Sequence, residues 1–201
     1  QSSGIGGGGF LVVDDGKGAL ETIDGRETAP AAATPRWFER DGQILTVPEA
    51  IPGGLSVGVP GNVRLMAEAH RRHGKLAWKA LFAPAIRLAR DGFAVTPRLN
   101  QALGRARQTA ALTDAGRALY YGPDGDAPLP VGTVIRNPAL AAFLERLAVE
   151  GPDAFYAGAN AAQIAQAVTN APRNPAPMTT ADIAAYRARP RPPVCTTYRA
   201  Y

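Results

Sequence analysis

Apolar positions change rhythm along the chain. Phe10-Leu11-Val12-Val13 is an unbroken apolar run, and Ala19 to Asp24 is a second β-compatible stretch. Asp15-Gly16-Lys17-Gly18 between them is rich in residues that tolerate positive φ, so the three pieces predict a hairpin. Continuous apolarity in the first strand predicts burial on both faces. From Ala31 to Ser56, Pro35, Pro48, Pro52 and Gly53-Gly54 predict loop. Helical spacing then takes over. Val63 to His73 ends at Gly74, a residue suited to the C′ position, and Leu76 to Arg90 should be divided by Pro84. Thr96-Pro97 and Asn137-Pro138 each pair an N-cap residue with proline at the first helical position. Leu140, Phe143, Leu144 and Leu147 form a stripe that Gly151 stops. Asn160 to Val168 and Thr180 to Tyr186 are the last helical segments, and Cys195 to Tyr201 reads as a closing strand.

A lone hairpin is marginal in water, and its candidate partners, Ile44 to Val47, Ser56 to Val59 and the closing stretch, are short. The sheet is therefore expected to be completed by sequence outside this chain. The start, Gln1-Ser2-Ser3-Gly4, has neither an initiating Met nor a basic n-region, which fits the middle of a longer protein whose beginning is missing.

Of the 201 residues, 46% are hydrophobic and 19% charged, a globular balance with no apolar run of membrane-spanning length. The net charge of +5 raises nucleic acid as a partner. The basic residues are mostly scattered, however, and no aromatic residues interleave with the groups at Arg71 or at Arg187, Arg189 and Arg191, so no nucleic-acid and no membrane partner is expected. Cys195 is the single cysteine, which excludes an internal disulfide. His70 and His73 could share one side of a helix, but Arg71, Arg72 and Lys75 make the surroundings cationic and favour a solvated helix end over a metal site.

Gly4, Gly6 and Gly9 satisfy a GxGxxG pattern, yet a strand follows where the dinucleotide fingerprint requires a helix, so no cofactor is expected. The glycines instead allow close backbone approach, for packing or for a substrate. Asp24-Gly25-Arg26-Glu27-Thr28-Ala29-Pro30 ends the second strand, where Arg26 could grip a carboxylate through two parallel hydrogen bonds; a solvated strand end is the commoner alternative. Among the Thr pairs, Thr179-Thr180 is better explained as a helix cap ahead of Asp182, and Thr196-Thr197 lies in a β-like stretch.

These segments together resemble the γ-glutamyltransferase (γ-glutamyl transpeptidase) family. The likeness runs over nearly the whole chain: Ser3 to Phe10 and Ile23 to Pro30 in order, then Gly58-Val59-Pro60-Gly61, His73-Gly74-Lys75-Leu76, Pro84 through Phe93, Gly151 to Tyr156, Asp182 to Tyr186, and Tyr198-Arg199. Two departures are Arg173 to Pro177 in place of the usual Gly-Gly, and Ala200 in the Tyr-Arg-Gly-Tyr ending.

The resemblance implies an α+β chain, part of an N-terminal-nucleophile hydrolase αββα sandwich. Residues 1–201 would form part of the large-subunit domain, with strands at about 9–27, a helical region at about 57–190 and a strand at 195–201. It further implies a small subunit of the same precursor, carrying the catalytic Thr, and a small-molecule γ-glutamyl donor such as glutathione, whose acyl group passes to water or an amino acid. Arg26 matches the residue that binds the donor's α-carboxylate, and Glu27 its usual neighbour, with a structural or orienting role. The Thr-Thr-His context of the nucleophile is absent, so the chain alone is expected to be inactive. A periplasmic location is implied. A cephalosporin or glutaryl acylase on the same scaffold, and a non-catalytic homologue, are the alternatives.

Overall fold

The computed structural model describes residues 4–197 and Arg199. Gly16 and Gly18 take φ of 71° and 96°, the left-handed values that close the hairpin turn. The strands it joins, β1 (Gly9–Asp14) and β2 (Leu20–Gly25), pair antiparallel with Phe10 opposite Asp24 and Val12 opposite Thr22. A third strand, β3 (Arg189–Arg191), adds antiparallel to β2, with Arg191 opposite Thr22 and Arg189 opposite Asp24. The order is β1-β2-β3, and among the described residues β1 has no strand on its outer side.

Two expectations about this sheet are corrected. Residues 195–197 form no strand, and 198, 200 and 201 lie outside the described residues. The chain joins the sheet earlier, at β3, where Pro190 is tolerated because the strand is an edge. The second concerns β1, which this chain by itself buries on one face only. Phe10 and Val12 are each 63% exposed, because the helices of this chain cover only the face that carries Leu11 and Ile23.

Helix α1 (Asn62–His73) packs across β1 and β2, burying Val63 and Leu65. The 3₁₀ turn Trp78–Phe82 leads into α2 (Ala83–Asp91), so Pro84 does divide the segment, by sitting in the first turn of a new helix. Thr96 caps α3 (Pro97–Arg105) and Asn137 caps α4 (Pro138–Glu150), each accepting a backbone N–H with its side-chain oxygen. Gly151, with φ of 81°, ends α4. After α5 (Gly158–Thr169), Thr179 and Asp182 form a reciprocal capping box on α6 (Thr180–Ala185).

Gly74 ends α1 as expected, but its φ of −65° is not left-handed. The glycine is required by proximity instead, since a Cβ there would lie 2.4 Å from the His70 carbonyl oxygen. The core joins Val59 and Val63 to Leu147, Phe155, Tyr156, Ile183 and Tyr186, which ties α1, α4 and α6 together beneath the sheet.

Candidate functional site

The sheet delivers Arg26 at the end of β2. The Asp24 carboxylate folds back so that Oδ1 accepts the Arg26 N–H at 2.9 Å, an Asx turn that leads the chain out of the strand. Its Oδ2 accepts Nε and Nη2 of Arg191 at 3.0 and 2.8 Å. The Arg26 N–H, and then Arg191, hold this carboxyl below the usual aspartate range. On the other side of the residue, the Tyr186 hydroxyl donates to the Arg26 carbonyl oxygen at 2.7 Å. Tyr186 is buried, which pushes its phenol pKa up, and its ring stacks on Tyr156 at 5.9 Å between centroids. Two residues on, Thr28 and Val59 exchange backbone hydrogen bonds at 3.3 and 2.8 Å.

The glycine loop crosses directly over this corner. Asn62 Nδ2 donates to the Gly4 carbonyl at 2.7 Å, and the N–H groups of Gly61 and Asn62 both donate to Gly7 O at 2.9 Å. A Cβ on Gly8 would meet Glu27 Oε2 at 2.5 Å, the Glu27 backbone nitrogen at 2.7 Å and Arg26 Cα at 2.8 Å. Only glycine permits that passage. The loop then feeds β1, not a helix.

The Arg26 side chain is half-exposed. Its own contacts are long, Nη1 to Gly8 O and Nη2 to Glu27 Oε2, both at 3.4 Å. The backbone is therefore fixed while the guanidinium retains donors for a ligand. Arg26 and Glu27, singled out in the sequence, are brought together with the glycine loop. The sequence reading missed Asp24, Tyr186 and Arg191 as supports; the Asp24-Gly25 pair preceding Arg26 was the one local signal for an Asx turn.

The other candidates lie elsewhere. His70 Nε2 is 2.7 Å from the Leu76 carbonyl oxygen, and His73 Nε2 is 2.8 Å from Glu21 Oε2, while Arg72 engages Oε1 of the same carboxylate. The two imidazoles thus have separate partners, and no group of three potential metal ligands occurs among the described residues. Thr179 caps α6, while Cys195, Thr196 and Thr197 are exposed. No helix of the described residues is long and apolar enough to cross a membrane.

A family model described as gamma-glutamyltranspeptidase matches residues 1–201. The chain belongs to the gamma-glutamyltranspeptidase family. Its fold class is accordingly α+β, that of part of an N-terminal-nucleophile hydrolase. The crystal structure of the Helicobacter pylori gamma-glutamyltranspeptidase superposes with a TM-score of 0.89 at 29% identity, covering 100% of this chain and 56% of that one. A glutathione hydrolase proenzyme of Arthroderma benhamiae is 40% identical over 200 residues, 98% of this chain and 32% of that protein. A cephalosporin acylase from Bacillus halodurans superposes with a TM-score of 0.77 at 32% identity, over 98% of this chain and 36% of that one. The chain spans about a third or less of the length of the curated glutathione hydrolases it matches.

Proposed function

We propose that the protein is a γ-glutamyltransferase and glutathione hydrolase in which this chain recognises the donor, with Arg26 binding the α-carboxylate of the γ-glutamyl group. The observation that carries this reading is the presentation of Arg26: a half-exposed guanidinium with long contacts of its own, on a backbone held at both its N–H and its C=O. Two parallel N–H groups can meet both carboxylate oxygens, a geometry Lys cannot reproduce. Gripping one end of the donor fixes the position of the amide at the other end, and that orientation is what a following acyl transfer exploits. Glu27 keeps an orienting role, its carboxylate lying between Arg26 and Gly8.

The nucleophile in this reading is the N-terminal Thr of a small subunit cut from the same precursor. Its oxygen bonds to the γ-carbonyl carbon as the amine leaves, and water or an amino acid then takes the acyl group. The exposed Phe10 and Val12, and the side of β1 that pairs with no strand among the described residues, offer that subunit a surface to pack on. On the family resemblance, the compartment is the periplasm.

The likeness to a cephalosporin acylase favours a second reading, acylase activity toward glutaryl-type substrates, which also carry a terminal carboxylate. The full-length, processed protein distinguishes the two when offered γ-glutamyl and glutaryl anilides, which differ by the α-amine. Preference for the γ-glutamyl donor is expected. Preference for the glutaryl donor would reassign the protein as an acylase, and no turnover of either would make it a non-catalytic homologue.

A further inference from the structure

We propose that Arg191 is a positioning residue for donor binding: by fixing the Asp24 carboxylate, it sets the direction in which Arg26 is presented. The proposal rests on the assignment of Arg26 to the donor's carboxylate.

Asp24 is a joint between the two arginines. One oxygen receives the Arg26 N–H, and the other receives two N–H groups of Arg191. An aspartate that only caps the N–H two residues ahead can still turn about its own side-chain bonds. Two donors from one planar guanidinium on the second oxygen fix the carboxylate plane, so the first oxygen stays aimed at Arg26. Arg191 can do this because β3 pairs with β2, placing Arg191 opposite Thr22 and diagonal to Asp24. Arg189, directly opposite Asp24, adds a second cation to that face of the sheet, where Phe10 lies on the far side of Asp24.

What makes Arg26 dependent on this joint is the weakness of its other restraints. Both contacts of its guanidinium are at 3.4 Å, so the firm restraints on Arg26 are those on its backbone, from which the side chain springs. Tyr186 secures the C=O side and Asp24 the N–H side, and the Asp24 carboxylate is itself only as fixed as Arg191 makes it. Within this chain the Arg191 side chain is 56% exposed and that of Asp24 15%, so truncating Arg191 removes the restraint without opening a cavity in this chain's own core.

The test is steady-state kinetics on the full-length, processed enzyme with a γ-glutamyl anilide, using Arg191→Ala, Arg26→Ala and the double variant. Arg191→Ala should raise donor KM about three- to tenfold, the scale of one weakened charge-assisted contact, with a smaller change in kcat. In the Arg26→Ala background, and with a 4-aminobutyryl anilide that lacks the α-carboxylate, the same truncation should cost almost nothing. Arg191→Lys should recover part of the loss. Equal losses with and without Arg26, or a fall in kcat as large as the rise in KM, would make Arg191 a general support of the fold and overturn the proposal. If Arg26→Ala raises KM and Arg191→Ala does not, the positioning role alone fails. If Arg26→Ala leaves KM unchanged, the donor-site assignment fails and this inference with it. Should Arg191→Ala not mature, Asp24→Asn carries the comparison, because it keeps an oxygen for the Arg26 N–H but turns to Arg191 an NH2 that cannot accept its hydrogen bonds. Its KM effect must likewise vanish without Arg26.

Discussion

The hydroxyl of Tyr186 donates to the carbonyl oxygen of Arg26 at 2.7 Å, joining residues 160 positions apart. The phenol is buried against Tyr156, and a Cβ on Gly61 would come within 2.2 Å of its oxygen, so the ring has no room to move away. Tyr186→Phe keeps the packing and removes the donor. It should cost about 1–2 kcal/mol of stability, the penalty for an orphaned carbonyl in a part-buried site. A shift of the urea midpoint with unchanged slope would show it, and no shift would mean that water replaces the phenol.

Asn174 should matter more than its place in a loop suggests. It is buried with φ of 46°, its amide donates to the carbonyls of Glu49 and Pro52 at 2.7 and 3.0 Å, and its oxygen accepts from Arg40 at 2.6 Å. Asn174→Ala strands all three partners and should destabilise by about 2–4 kcal/mol. Asn174→Gly relieves the backbone but not the hydrogen bonds, so it should recover little. Full recovery by glycine in urea unfolding would place the cost in φ alone.

Acid should weaken the chain in a defined window. Hydrogen bonds from Arg71, then Arg72, bring the Glu68 carboxyl down from 4.5 to about 2. Asp182 is lowered chiefly by the Thr179 hydroxyl, with the Ala31 N–H contributing. A depressed carboxyl pKa gives stability that is complete above the unfolded value and lost as pH falls through the folded one. Urea midpoints should therefore be flat above about pH 5 and decline toward about pH 2. Glu68→Gln should make that decline shallower, and an unchanged slope would remove Glu68 from the account.

Isolated, the chain should not hydrolyse a γ-glutamyl anilide, since the Thr179 hydroxyl is engaged in the helix cap with Asp182 at 2.7 Å and, among the described residues, both histidines are turned to other partners, Leu76 and Glu21. It should also bind an apolar dye well above the complete enzyme, through the face bearing Phe10 and Val12. Turnover by rigorously purified chain would contradict the first expectation, and equal dye binding the second.

How much of this could be read in advance depended on range. The hairpin, the caps at Thr96, Asn137 and Thr179 and the stop at Gly151 are set by residues within a few positions of one another, and local spacing carried them. The place of Arg26 at a strand end was legible because Asp24-Gly25 marks the exit from β2 just before it. Its supports were not, since Tyr186 reaches it from 160 positions away and Arg191 reaches Asp24 from 167, and no periodicity encodes such a meeting. Pro190 hid β3, because proline argues against a strand unless the strand is known to be an edge. Phe10-Leu11-Val12-Val13 predicted two covered faces, while within this chain the alternation of exposure shows one.

The central claim is that Arg26 contacts the donor's α-carboxylate, and a double-mutant cycle between protein and donor tests it most directly. Arg26→Lys and Arg26→Ala are each assayed in the full-length, processed enzyme with a γ-glutamyl anilide and with a 4-aminobutyryl anilide. Self-cleavage of the precursor should persist in Arg26→Lys, since no donor is needed for it. With the γ-glutamyl donor, Arg26→Lys should lower kcat/KM by roughly one to two powers of ten, matching about 1.5–3 kcal/mol for a charge-assisted contact, and Arg26→Ala should lower it further. With the donor that lacks the carboxylate, neither substitution should cost much more than the trimming already has. Additive losses from trimming both sides, or failure of Arg26→Lys to mature, would contradict the claim and leave Arg26 a purely structural residue.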